Sequence, residues 1–116
     1  MAKLISILGS TGSIGLSSLK IIDKKKKYFN INILSANKNY KLICMQIKKY
    51  KPKIFIITDP IIFEKVKIKF KRKNIKILNK FNQLKKKSDI TISAIPGIAG
   101  LLPTVLMIKL SRKMLI

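Results

Sequence analysis

Glycines at positions 9, 12 and 15 fall directly after an apolar run, Leu4 to Leu8, and open a segment whose apolar residues recur at helical spacing. That pattern, G-x-x-G-x-x-G between a strand and a helix, admits few folds. It places glycine where a backbone must turn tightly, approach a ligand or let a helix press against a strand. Ile5-Ser6-Ile7-Leu8 reads as a short strand buried on both faces. Ile14, Leu16, Leu19, Ile21 and Ile22 supply the helix, and the run Lys24 to Lys27 closes it, because positive side chains suit the negative end of the helix dipole.

The alternation continues down the chain. Ile31 to Ala36 forms a second strand, followed by the polar turn Asn37-Lys38-Asn39. Leu42, Ile43, Met45, Gln46, Ile47 and Tyr50 give a helical face that stops before Pro52, since a proline pushes the preceding residue out of helical geometry. Ile54 to Ile57 is a third strand, and Asp59-Pro60 opens a helix through Phe63, Val66, Ile68 and Phe70. Ile75 to Leu78 reads as a strand, Phe81 to Lys87 as a short basic helix or loop, and Ile90 to Ile95 as a strand. A helix from Gly97 to about Leu110 and a strand just begun at Met114-Leu115-Ile116 complete the pattern. This rhythm predicts the α/β class: a Rossmann-like open parallel sheet with right-handed crossovers and helices on both faces, incomplete at the C-terminus. Residues 1–116 are expected to form one nucleotide-binding domain, with no internal repeat and no flexible linker.

A net charge of +22 raises nucleic acid or an anionic membrane surface as a partner. The charge is diffuse, however, and almost all lysine: only Arg72 and Arg112 are arginine, and the acids are Asp23, Asp59, Glu64 and Asp89. A surplus of Lys, Ile and Asn in every segment is what AT-rich codons write, and aromatic residues are too thinly interleaved for a stacking surface. Nucleic-acid binding through the lysines therefore stands as the alternative rather than the leading expectation. Cys44 is the single cysteine, with no Cys or His companion for a disulfide or a metal site, so a reducing cytoplasm is expected. No stretch approaches the roughly 18 apolar residues of a membrane span.

The glycine run carries the chemistry. Gly9 suits the tight turn, Gly12 lets the backbone approach a pyrophosphate, and Gly15 lets helix and strand pack closely. Ser10, Thr11 and Ser13 add hydroxyl donors beside the N–H groups of the helix N-terminus, where an anion is favoured. No Gly-Lys-Ser or Gly-Lys-Thr ends the run, which sets aside a P-loop. A site for NAD places an acid at the end of the second strand to bond the ribose 2′-hydroxyl. Here that position offers Asn37-Lys38-Asn39, a cation flanked by amides, which suits a 2′-phosphate and so favours NADP over NAD. The absence of histidine removes Ser-His-Asp triads and histidine metal ligands, and four scattered acids leave no paired-carboxylate or multi-carboxylate centre. No catalytic or metal-binding residue is therefore assigned.

Taken in order, Ile7-Leu8-Gly9-Ser10-Thr11-Gly12-Ser13-Ile14-Gly15, Ala36-Asn37-Lys38-Asn39 and Gly97-Ile98-Ala99-Gly100-Leu101-Leu102-Pro103-Thr104 resemble the 1-deoxy-D-xylulose 5-phosphate reductoisomerases, and the similarity runs from end to end. That family uses NADPH and a divalent metal, Mg or Mn, to isomerise and reduce a small phosphorylated sugar to 2-C-methyl-D-erythritol 4-phosphate, a step of bacterial isoprenoid synthesis. The resemblance implies that Thr11, Gly12, Ser13, Ile14, Lys38 and Asn39 contact NADPH, with Gly9, Gly15 and Asn37 shaping the same site. It also implies a homodimer for the complete protein. Asn37 departs from the family's usual glycine, Pro96 from an apolar residue, and Leu110-Ser111 from small residues. The family's Asn-Lys-Glu segment would follow Ile116, with the metal-binding carboxylates beyond it. The expectation is thus a truncated chain, the first part of the cofactor domain, without reductoisomerase activity alone. A fragment of another NAD(P)-binding oxidoreductase is a further alternative.

Overall fold

The computed structural model describes residues 3–81, 88–93 and, for the backbone alone, 111–115. Its elements are β1 (Lys3–Leu8), α1 (Ser13–Lys24), β2 (Phe29–Ala36), α2 (Tyr40–Tyr50), β3 (Ile54–Ile57), α3 (Pro60–Lys69), β4 (Lys76–Leu78), β5 (Ser88–Ser93) and β6 (Ser111–Leu115). The six strands make one sheet in the order β4-β3-β2-β1-β5-β6, with every neighbouring pair parallel.

Both faces of the central strands are covered, which explains why β3 is apolar at every position. Phe55 and Ile57 join Ile5, Ile7, Leu34 and Ala36 on one face, while Ile54 and Ile56 join Leu8 and Ile33 on the other. Leu19 and Ile22 of α1, Ile43, Cys44 and Ile47 of α2, and Phe63 and Val66 of α3 all pack into the first cluster. All three described helices therefore lie on a single face. The chain steps from β1 to β4 in one direction, so right-handed crossovers keep these helices together; it then returns past β1 to β5, which reverses the step and calls for the opposite face. Phe81, just after β4, is buried in that second cluster. The short basic helix or loop expected from Phe81 to Lys87, beyond Phe81 itself, and the helix expected from Gly97 to about Leu110 lie outside the described residues.

The helix ends follow local chemistry. The Asn39 Oδ1 accepts from the Leu42 N–H at 3.2 Å, and the Asp59 Oδ2 accepts from the Ile62 N–H at 3.0 Å, with Pro60 in the first turn where no N–H is needed. α2 ends with Lys51 in the left-handed region at φ 47° ahead of Pro52.

The register of β2 and the starts of β5 and β6 differ from the sequence reading. β2 slips by one residue against β1, Ile5 opposing Ile31 and Ser6 opposing Ile33, so Asn32 is the extra residue. It is buried, and its Nδ2 donates to the Ser88 Oγ, which in turn bonds the Ser6 Oγ. β5 starts at Ser88 rather than Ile90, because Ser88 and Asp89 are tied to β2 and β1 by these side-chain bonds and by the Leu4 N–H to Asp89 Oδ2 bond of 2.8 Å. β6 starts at Ser111 rather than Met114, since pairing of Ser88 with Ser111 and of Ile90 with Lys113 recruits basic residues that give no apolar signal.

Four acids offset little of the charge, which stays at +22; among the described residues Lys49 pairs with Asp23, at 4.0 Å and half-exposed. Such self-repulsion is long-ranged at 0.01 M salt, where the screening length of ~30 Å approaches the width of the molecule. Raising NaCl from 0.01 to 0.3 M is therefore expected to lift the melting temperature by on the order of 5 °C in a circular-dichroism melt. A melting temperature independent of salt would mean the charges are compensated.

Candidate functional site

The sheet reverses its winding between β1 and β5, and the crevice outside the carboxyl ends of strands at such a point is where open α/β sheets bind ligands. The loop from Gly9 to Gly12 leaves β1 at this point and enters α1.

Gly9 takes φ 80°, a left-handed turn that residues with a Cβ rarely adopt. Its N–H and that of Ser10 both donate to the Ser35 carbonyl of β2, at 3.0 and 2.8 Å, and the Gly9 N–H also reaches the Ser35 Oγ at 3.0 Å. The loop is thereby tied to the end of β2, one residue before Ala36 and the Asn37-Lys38-Asn39 turn. Gly15 lies against the loop so closely that an added Cβ would meet the Gly9 carbonyl oxygen at 2.2 Å and the Ser10 Cα at 2.8 Å. This is the close helix-on-strand contact expected of the third glycine.

Gly12 is different. Its φ of −78° is ordinary, and an added Cβ would meet only the Gly9 oxygen, at a comfortable 3.7 Å. Nothing in the fold of the described residues requires glycine there. As N-cap of α1 it provides no side-chain cap, whereas Asn39 and Asp59 cap α2 and α3. The first N–H groups of α1, on Ser13, Ile14 and Gly15, thus face the crevice end of the sheet without the acceptor that the other helices supply. Gly12, Ser13 and Ile14 are exposed, Ile14 by 63%, and Thr11 is half-buried.

Ser10 departs from the expectation that all three hydroxyls of the loop are ligand donors. It is fully buried, and its hydroxyl donates to the Gln46 Oε1 at 2.6 Å, while the Gln46 Nε2 donates to the Ser10 carbonyl at 2.9 Å. The Ser35 carbonyl lies 3.3 Å from the same hydroxyl, but its one proton serves the shorter contact. Gln46 is likewise fully buried. Sequence reasoning placed it on the apolar face of α2 without a role, and the signal was available: an amide in phase with Ile43 and Ile47. Met45, assigned to the same face, is 39% exposed.

At the end of β2, Asn37, Lys38 and Asn39 are all exposed. The Asn37 Oδ1 accepts from the Thr58 Oγ1 at 3.1 Å, and the Thr58 N–H donates to the Ala36 carbonyl at 3.1 Å, so the turn is braced by the residue after β3. Among the described residues Lys51 is the non-glycine with positive φ, so Asn37 holds its place without left-handed strain. Asn39 spends its carbonyl oxygen on the α2 cap and keeps its amide donors. The fold therefore gathers Gly9 to Gly15 and Asn37 to Asn39 at one end of the sheet. The Gly97 to Thr104 run lies outside the described residues. No group of three or more His, Cys, Asp or Glu able to hold a metal occurs among the described residues, and none of their helices is long and apolar enough to cross a membrane.

Residues 5–116 match the family model for 1-deoxy-D-xylulose 5-phosphate reductoisomerase. The enzyme of that name from Pelagibacter ubique is 41% identical over 116 residues, covering 95% of this chain and 30% of the relative. A solved 1-deoxy-D-xylulose 5-phosphate reductoisomerase from Zymomonas mobilis, in complex with NADPH, superposes with a TM-score of 0.85 at 28% identity, over 94% of this chain and 30% of that one. Another reductoisomerase structure, in complex with NADPH, fosmidomycin and magnesium, gives a TM-score of 0.81 at 25% identity, over 90% of this chain and 27% of the other. The chain spans about 30% of the length of the relatives it matches. It belongs to the 1-deoxy-D-xylulose 5-phosphate reductoisomerase family.

Proposed function

We propose that residues 1–116 form the NADPH-binding portion of a 1-deoxy-D-xylulose 5-phosphate reductoisomerase. The observation that carries this reading is the uncapped N-terminus of α1 at the winding reversal of the sheet, entered from a loop whose Gly9 and Ser10 N–H groups are tied to the Ser35 carbonyl, at the same end of the sheet as the exposed Lys38. The Thr11, Ser13 and Ile14 N–H groups and the Thr11 and Ser13 hydroxyls bond the pyrophosphate, and Gly12 gives it room. Lys38, with the amide donors of Asn37 and Asn39, takes the 2′-phosphate; exposed Ile14 offers apolar surface; Gly9 and Gly15 fix the loop. NADPH supplies a hydride. The complete protein uses it with a divalent metal to isomerise and reduce a phosphorylated sugar, as a homodimer in the bacterial cytoplasm. The metal has no fitting ligands among the described residues, so no step is assigned to it on this portion.

Lys38→Glu tests the assignment. A carboxylate at that place repels the 2′-phosphate and accepts from a ribose hydroxyl. The ratio of NADPH to NADH affinity is therefore expected to fall by about a hundredfold, because a charge-assisted hydrogen bond gives way to a like-charge repulsion. Fluorescence titration of both nucleotides measures it, and an unchanged ratio removes Lys38 from the site. If the unaltered chain shows no NADPH-dependent change in fluorescence or melting, the cofactor reading itself falls.

A further inference from the structure

We infer that Gln46 is a positioning residue that aims the Thr11 N–H at the dinucleotide's pyrophosphate by holding the Ser10 carbonyl turned the other way. The inference rests on the NADPH reading above and extends it to a side chain that touches no ligand. Both ends of the Gln46 amide are committed to one residue of the loop: Oε1 accepts from the Ser10 hydroxyl at 2.6 Å and Nε2 donates to the Ser10 carbonyl at 2.9 Å. A planar trans peptide points its carbonyl and its following N–H in opposite directions, and the described backbone has no cis peptide. Drawing the Ser10 carbonyl inward to Gln46 therefore turns the Thr11 N–H outward, to the side where the α1 N-terminus is exposed.

The arrangement also sets the spacing of two phosphate sites. α2 begins at the Asn39 cap beside Lys38, and Gln46 stands about two turns further along the same helix. One rigid element thus holds the 2′-phosphate residues at its start and the pyrophosphate loop from its middle. Because Ser10, Ser35 and Gln46 are all buried, removing one partner leaves a buried polar group short of a bond, which is costly.

Gln46→Leu removes both bonds and puts an apolar side chain of similar size in the helix face. With inorganic pyrophosphate, NADPH and 2′-AMP as probes, affinity for the first two is expected to fall by about tenfold or more while 2′-AMP binding changes by less than about twofold. General loosening of α2 would weaken all three alike, and that result overturns the inference. Amide hydrogen exchange without ligand supplies the second readout: Gly9 and Ser10 are expected to exchange at least about tenfold faster in the variant, with β3 unchanged. If the unaltered chain binds none of the probes, the NADPH reading fails, and unchanged exchange at Gly9 and Ser10 then sinks the positioning role separately. Should Gln46→Leu not fold, Ser10→Ala deletes the hydroxyl alone. It is expected to give the same order of effects at smaller size, and a variant indistinguishable from the parent in probe binding and exchange counts against the inference.

Discussion

Gly15→Ala is expected to destabilise the chain by about 3 kcal/mol or more and to abolish NADPH binding with it. The added methyl would stand 2.2 Å from the Gly9 carbonyl oxygen and 2.9 Å from the Ser10 carbonyl carbon, and both are backbone atoms that cannot rotate away. Relief requires α1 to move off the end of β1 by about an ångström. That movement is resisted by Leu19 and Ile22, which anchor the same helix in the main core, and by the bonds from Gly9 and Ser10 to the Ser35 carbonyl. Alanine's better helix propensity returns less than about 1 kcal/mol. Against a total of roughly 5–15 kcal/mol, lowered by self-repulsion in a chain of charge +22, such a loss leaves a marginal fold. Urea unfolding is expected to show a midpoint lower by about 1 M or more. A midpoint within a few tenths of the parent would mean that the helix tolerates a wider seat.

The reading of the sequence succeeded where a residue's role is local. The glycine spacing announced strand, turn and helix; Asp59-Pro60 announced the start of α3; the unbroken apolar run Ile54 to Ile57 announced the strand β3. What the sequence withheld depends on partners far along the chain. Ser10 looks like a ligand donor beside Thr11 and Ser13, and only the fold shows its hydroxyl consumed by Gln46, 36 residues away. The register slip at Asn32 follows from a buried bond to Ser88, 56 residues on. β6 takes its start from its partner strand rather than from its own composition. The glycine pattern itself hides an asymmetry, because spacing alone cannot tell a glycine kept by steric contact from one kept free.

Gly12→Asp brings out that asymmetry, since fold and function should move in opposite directions. The backbone at position 12 is in the extended region at φ −78° and ψ 172°, where aspartate is at ease, and its Cβ would meet only the Gly9 oxygen at 3.7 Å. The new carboxylate can accept from the N–H groups at the start of α1, as Asp59 does for α3 through its 3.0 Å bond to the Ile62 N–H. A negative charge there also suits the helix dipole and lowers the net positive charge, so the chain should gain about 0.5–1 kcal/mol and melt a few degrees higher. The same carboxylate would occupy the donors offered to the pyrophosphate and repel its charge. Loss of at least two charge-assisted bonds, about 3 kcal/mol or more together, means NADPH affinity down by more than about a hundredfold. Paired melting and titration measurements decide the matter. A variant that melts higher yet binds NADPH as the parent does would show that the dinucleotide's phosphates do not lie on the α1 N-terminus.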